Sequence, residues 1–310
     1  MKIEKYYTLS ILTRISLVLL IGLATCFNEL IAQDSAIAAP APVVKKKVYV
    51  KNTFEDTYLI DNQTVMVPIK GTFEFDIQHR FGTVEHGLKD LFGLFAGANM
   101  RLGFSYVPKK NLQVGFGVTN DKMQVDLSAK YALLKQTKNN SMPISASLFV
   151  NTVMDTRAKN SSLPIVEFSD RLSFFSQLII ARKITESFSV QVAPSLSYFN
   201  NVEGYYDKAG VIQPKFNNTH LAISFSGRYK VSRSMSLIAN YDQPLTQHPM
   251  NNPHPNISFG LEMKSSGHDF QVFAGNYGSI LPQNNNLFNQ NDFTKGQFLV
   301  GFNISRLWNF

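Results

Sequence analysis

The chain has 310 residues, of which 44% are hydrophobic, 12% aromatic and 17% charged, with one Cys and a net charge of +8. That hydrophobic share excludes a disordered chain, and a lone Cys excludes an internally disulfide-bonded scaffold. Past the N-terminal segment no run approaches the roughly 20 apolar residues that a helical span needs, which excludes a helical membrane protein.

The first predicted element is an export segment. Lys2, Lys5 and Arg14 precede the apolar stretch Ile15 to Phe27, and small residues follow at Ala32, Ala36, Ala38 and Ala39. A basic start, a short apolar core and a small-residue cleavage site describe a secretory signal peptide over residues 1–32, cut after Ala32 or Ala38. Asn28 and Glu29 interrupt the core too soon for a membrane anchor. Cys26 follows Leu23-Ala24-Thr25, a poor match to a lipidation site, and is read as an ordinary residue lost with the signal. The mature chain then has no Cys, which suits an oxidising compartment.

Residues 33–69 break into an Ala/Pro linker from Ala38 to Val44, a charge run from Lys45 to Lys47 and a polar, strand-like stretch from Lys51 to Pro68. They are expected to be a periplasmic linker or plug-like segment. A periplasmic or partly inserted position is favoured over a full plug or an added edge strand.

From residue 70 to 310 the period is two. Phe73, Phe75, Ile77, His79 and Phe81 share one face of the first strand, while Thr72, Glu74, Asp76, Gln78 and Arg80 share the other. The same split recurs along 123–134, 188–198 and 221–231, with Ser, Gln, Lys and Arg on the polar side. Twelve strands are predicted, near 71–81, 96–107, 112–119, 123–134, 144–154, 171–181, 187–199, 219–231, 235–243, 256–264, 269–276 and 297–309. Most have the nine to eleven residues with which a tilted strand crosses a bilayer.

The connections sort by length. Those at 108–111, 135–143, 182–186, 232–234 and 265–268 are mostly tight, whereas most of those at the other strand ends are long and rich in Asn, Pro, Gly and Ser, as at Asn284-Asn285-Asn286. The connection at 119–122 is the short member of that second set. Short turns at one end and long loops at the other predict an all-β fold, an antiparallel up-and-down transmembrane β-barrel of about 12 strands, within a range of 10–14. A soluble sandwich has no cause to sort its loops this way. Closure follows because an open edge in hydrocarbon leaves backbone donors and acceptors unpaired.

Charges on such strands belong inside, since Arg or Lys facing lipid costs about 2–4 kcal/mol at mid-bilayer. The candidate lumen-lining residues are therefore Glu74, Asp76, Arg80, Arg101, Asp126, Lys130, Arg171, Arg228, Lys230 and Glu262. They either line a pore with a weak anion preference or form a self-neutralising network that fills the lumen. His79 and Arg80 are placed at the end of the first strand and His268 in a tight turn beside Asp269, as backbone-satisfying and interfacial residues. His248 and His254 lie in a loop, where they lack the third ligand and fixed geometry of a metal site. No Gly-x-Ser-x-Gly elbow, phosphate loop, HExxH pair or CxxC motif occurs, so no catalytic residue, cofactor or metal is assigned. No basic cluster on one element points to nucleic acid. Lys109, Lys110, Arg182, Lys183, Arg233 and Lys264 gather instead at the short-turn end, where acidic lipid headgroups would hold them.

The last strand carries Phe302 and Ile304 in phase and closes on Trp308, Asn309 and Phe310, with Arg306 out of phase. A terminal aromatic on an amphipathic strand is similar to the signal read by bacterial barrel-assembly machinery, which makes Phe302, Ile304, Trp308 and Phe310 the candidate assembly signal. Five runs carry a wider resemblance: His79-Arg80-Phe81-Gly82, Asn99-Met100-Arg101-Leu102-Gly103, Gln177 to Lys183, Ser266 to Gln271 leading to Asn276, and Gly301 to Arg306. In that order they resemble an uncharacterised outer-membrane β-barrel family of Bacteroidota. The resemblance implies a barrel, the outer membrane as its location after Sec-type export, and membrane lipid and the assembly machinery as partners; it implies no activity. Three functions stay open: a passive pore or small-solute transporter, a non-conducting structural or binding barrel that engages a partner through its loops or N-terminal segment, and, least supported, an outer-membrane lipase.

Overall fold

A computed structural model of the chain describes residues 47–159 and 165–309. The export segment, its cleavage sites Ala32 and Ala38, Cys26 and the closing Phe310 lie outside the described residues. Twelve strands form one closed barrel: β1 Thr72–Thr83, β2 Asn99–Lys109, β3 Leu112–Thr119, β4 Gln124–Leu134, β5 Ser145–Asp155, β6 Leu172–Lys183, β7 Phe188–Phe199, β8 Thr219–Lys230, β9 Met235–Pro244, β10 Asn256–Lys264, β11 His268–Gly275 and β12 Leu299–Asn309. Each pairs antiparallel with its neighbours in sequence, and β12 closes on β1 with Asn309 opposite Thr72 and Ile304 opposite Ile77. No edge strand is left to seek another chain.

The pattern of burial is inverted relative to a water-soluble barrel. Along β1 the polar residues Thr72, Glu74, Asp76, Gln78 and Arg80 are buried, while Phe73, Phe75, Ile77 and Phe81 stay partly open on the outside. Phe104 is 40% exposed, Phe225 47% and Leu127 61%, all on strands. A wall that hides its carboxylates and displays its phenylalanines is stable only where hydrocarbon wets it. No helix among the described residues is long and apolar enough to cross a membrane.

Strand ends sit within a few residues of the predicted ones, and two of the differences matter. β1 runs on to Thr83, so His79 and Arg80 are not at its end. His79 faces outward and stacks on Phe302 at 5.0 Å, while Arg80 is fully buried inside. His268 opens β11 instead of lying in a turn, its Nε2 3.5 Å from Arg306 Nη1. Arg306 and Trp308 lie at the short-turn end of β12, the guanidinium 4.9 Å over the indole. That is an interfacial pairing of cation and amphipathic ring.

The stretch expected to be periplasmic or partly inserted lies, from about residue 53, inside the barrel. Residues near 48–50 run beside the β4–β5 connection, where Tyr49 bridges Thr137 and the Val50 N–H donates to the Gln136 carbonyl at 2.8 Å. The chain then turns into the lumen and forms a small hairpin, Tyr58–Leu59 against Asn62–Gln63. Ile60, at the tip, takes φ 61°. Phe54, Leu59 and Ile60 are completely buried and pack on inward-facing Phe149, Phe175, Ile179, Ile238 and Phe273. The largest apolar cluster among the described residues is thus the contact between this inner segment and the wall from β5 to β11.

Candidate functional site: the filled lumen and its vestibule

The inner hairpin supplies backbone groups that need partners, and the wall's polar face supplies them. Ile60 N–H donates to Gln271 Oε1 at 2.8 Å and Val65 N–H to Gln191 Oε1 at 3.0 Å, while Gln191 Nε2 returns a bond to the Gln63 carbonyl at 2.8 Å. Lys130 Nζ donates to Gln63 Oε1 at 2.8 Å and to the Thr57 carbonyl at 3.2 Å. Ser147 donates to the Val65 carbonyl at 2.8 Å, and Asn240 and Asn303 donate to the carbonyls of Leu59 and Ile60. Side chains join as well. Thr57 Oγ1 donates to Glu74 at 2.5 Å, Asn62 to Asp242 at 2.7 Å and the Ser305 hydroxyl to Asp56. All of these wall partners are side chains, so the hairpin is tied to the lumen without joining the strand ladder.

Eight of the predicted lumen residues fall into three groups, and Lys230 and Arg171 stand apart. Glu74, Lys130 and Arg80 hold the hairpin directly or close beside it. Arg80 lies 4.5 Å over the Phe273 ring, donates to Asn303 at 2.9 Å and reaches the Ile60 carbonyl at 3.5 Å. Asp76, Arg101 and Asp126 form a buried triad in which Arg101 meets Asp76 at 3.1 Å and Asp126 through two bonds of 2.9 Å each. The floor beneath Arg101 is Gly103 and Gly117, which lie in one row with Asp76 and Asp126 across β1 to β4. A Cβ on either glycine would collide with the triad. Arg228 joins Glu262 and, at 3.3 Å, Glu55, which also takes Lys264. Lys230 is half-buried near the short turns, where it lines a cavity of about 390 Å³ with Lys51, Lys138 and Lys183.

Arg171 departs from expectation. It ends a short 3-10 turn, Phe168–Arg171, before β6 begins, and donates Nη1 to the carbonyls of Asp155 and Arg157 at 2.8 and 2.7 Å. The polar alternation of β6 extends through it, but the strand pairing starts one residue later, so it belongs to the rim. In the candidate assembly signal, Phe302 and Ile304 alternate with buried Asn303 and Ser305, and Trp308 packs 5.7 Å from Phe73.

The long-loop end is closed from above by residues expected to be solvated. Helix α1, Pro282–Phe288, starts with Pro in its first turn and buries Gln283, Asn284, Asn285 and Asn286. Asn285 donates to Asp61 at 3.2 Å, Asn284 to Gln124 at 2.8 Å, and Asn286 accepts from Asn256 at 3.2 Å. Tyr277 donates to Asp61 at 2.7 Å. The signal for this cap is composition: a run of amides without a single charge can be buried at the cost of hydrogen bonds alone. Beneath it, one void in the lumen, beside Tyr58, Arg101 and Lys130, measures about 10 Å³. That is room for about one water.

His248 is not solvated either. It stacks on His220 with ring nitrogens 2.8 Å apart and accepts the Asn217 N–H at 3.0 Å, and burial lowers its pKa. His254 sits elsewhere in the same loop, its N–H on the Asn289 carbonyl. Among the described residues no group of three or more metal-ligating side chains occurs.

Beside the end of α1, the rim from β4 to β7 borders a vestibule of about 910 Å³. Lys122, Arg157, Arg171 and Asp155 face it, together with Leu172, Phe199 and Phe288. Burial lowers the Lys122 pKa, and the hydrogen bonds that Arg157 donates to Asp155 raise that of Arg157.

A sequence profile of the family described as "Membrane bound beta barrel domain (DUF5777)" matches residues 54–308. No curated protein matches the chain. Among solved structures, the chain is similar to the NanC porin (8% identity, TM-score 0.45, 77% of this chain and 99% of that one). It is also similar to an outer membrane channel from Pseudomonas putida F1 (12% identity, TM-score 0.48, 78% and 97%) and to the KdgM porin (9% identity, TM-score 0.43, 77% and 99%). The matched profile begins at Phe54, so it takes in the inner hairpin as well as all twelve strands.

Proposed function

The chain belongs to the membrane-bound β-barrel domain family, and from that premise we propose that it is an outer-membrane conduit for small solutes that rests closed, with its own residues 53–67 as the gate. The observation that carries this reading is the kind of bond that holds the hairpin. The bonds between hairpin and wall run through wall side chains, so withdrawal toward the short-turn end would leave every ladder bond of the barrel intact. Around the apolar patch of Phe149, Phe175, Ile179, Ile238 and Phe273, the vacated wall would be Ser, Gln, Asn, Lys and Asp, groups that water can solvate in place of the hairpin. An interior built only for stiffness gains nothing from so polar a lining, because a buried polar network is at best comparable in stability to a well-packed apolar one.

Export by segment 1–32, insertion by the barrel-assembly machinery through the β12 signal and contact with membrane lipid belong to the same reading. It assigns the barrel no enzymatic step. A planar bilayer tests it. The full chain should be silent or open in brief bursts, and the same chain lacking residues 53–67 should conduct steadily. A second reading, a non-conducting binding barrel, is favoured by the apolar cluster around Phe54 and Ile60, which resists withdrawal into water. Silence of a correctly folded deletion protein would select it.

A further inference from the structure

The vestibule beside the end of α1 is unused by the gate. Its volume, about 910 Å³, falls in the range of roughly 300–1,000 Å³ typical of small-molecule sites. Its charges are unevenly satisfied. Asp155 holds Arg157 through Nη2 at 2.6 Å and Nε at 3.0 Å, Asp170 accepts the N–H groups of Val166 and Glu167, and Glu203 takes Lys215 at 3.0 Å. Every acidic group is therefore committed.

Two cations are not. Lys122 is half-buried with its ammonium 4.1 Å over the Phe288 ring, and Arg171 donates to two neutral carbonyls; neither has a carboxylate partner among the described residues. Lys122 also holds a left-handed backbone, φ 54°, in the short turn before β4. Left-handed backbone at a residue other than Gly carries strain that the surroundings must hold. The Lys122 ammonium touches only a ring, and the attraction of the more distant Asp121, Asp155 and Glu203 does not offset its burial; an anion in contact with it would correct that. Beside the two cations lie Phe199 and Phe288, packed edge to face at 5.3 Å, which offer an apolar corner.

We propose that the vestibule is a binding site for a small organic carboxylate with an apolar ring, the carboxylate received by Lys122 and Arg171 and the ring by Phe199 and Phe288. The site goes beyond the gate and does not depend on whether the barrel conducts. The fixed carboxylates at its edge, Asp155, Asp170 and Glu203, set its selectivity by repelling an anion that misses the two cations.

Calorimetric titration of the full chain in detergent tests this with benzoate as the probe, and with benzyl alcohol and benzylammonium as its neutral and cationic counterparts. Benzoate should bind saturably and the other two should not. K122Q and R171Q should each weaken benzoate by about tenfold, the scale of one charge-assisted contact. K295Q, an exposed cation outside the vestibule, should leave it unchanged. Folding of each variant is checked by its heat-shifted gel mobility. Absence of saturable benzoate binding to the folded chain, unaltered binding by the K122Q/R171Q double variant, or equal binding of benzylammonium would each overturn the proposal. A failure of the gate would appear instead as a bilayer recording from the deletion protein, which this titration does not touch.

Discussion

Arg101 lies directly over the bare backbone of Gly117, so close that a Cβ there would collide with its guanidinium. The glycine is what lets the Arg reach Asp126 with two parallel bonds and Asp76 with a third, all inside the wall. G117A should therefore destabilise the barrel by about 1–3 kcal/mol through overpacking alone. Urea unfolding in micelles measures it. G227A, where an added Cβ meets nothing nearby, is the control and should leave the midpoint unchanged.

Breaking the triad from the other side should cost more. R101M leaves Asp76 and Asp126 buried without their cation, and removing one partner of a buried pair costs about 3–5 kcal/mol. Because the strands carry this triad independently of the hairpin, R101M should lower the unfolding midpoint to a similar degree in the chain with and without residues 53–67.

Lys130 is one of the wall's cationic holds on the hairpin, beside Arg80, Arg228 and Lys264. K130M keeps the length of the side chain and removes both bonds, leaving Gln63 Oε1 without its donor at about 1–3 kcal/mol and the Thr57 carbonyl with the Thr64 N–H alone. The barrel should stay folded while residues 47–67 become accessible to a protease added on the short-turn side. A single cleavage product appearing faster than in the parent chain, by gel and mass spectrometry, is the expected result. Equal protection in both proteins would mean that the apolar cluster and the remaining wall bonds hold the hairpin without Lys130.

The reverse experiment fixes the hairpin. Asp56 and Ser305 touch through a hydrogen bond, so D56C/S305C sets two thiols on facing positions of the hairpin and the wall, to be joined by oxidation. Oxidised, this variant should lose any bursts that the parent shows in a bilayer, and dithiothreitol should restore them.

The outer wall makes its own prediction. Phe225 faces out at the middle of β8, opposite Val192 and Tyr241. F225R should cost about 2–4 kcal/mol of folding stability in a bilayer, the cost of a cation at the midplane. F95R, in the exposed loop after β1, should cost nothing measurable.

Much of this architecture can be read from period two. Phe73, Phe75 and Ile77 alternating with Glu74, Asp76 and Gln78 specify a strand, its two faces and which face is wet by lipid, because a one-residue slip would invert all of them. Alternation also places Arg101, Asp126 and Lys130 on one side. It does not say what they touch, because contacts across a barrel depend on register between strands, and register is carried by details such as the Gly103–Gly117 row. The hairpin was hard to see for a different reason. Lys51 to Pro68 is polar enough for water, and its polarity is satisfied by residues such as Gln271 and Asn303, more than 200 positions away. The amide run of α1 hid in the same way: Asn284, Asn285 and Asn286 suit a solvated loop and a buried cap equally well until their partners are known. Arg171 shows the converse, a residue in phase with a strand that begins one position after it.

The hairpin also has a bearing on the order of synthesis. Asp56 and Ile60 leave the ribosome long before Ser305 and Asn303, yet these are their partners, 249 and 243 residues later, on the strand that seals the seam against β1. The earliest-made part of the mature barrel thus waits for the latest. A chain truncated before β12 would lose at one stroke its seam and two of the anchors of its stopper, so a half-finished copy could be neither sealed to lipid nor shut to solute.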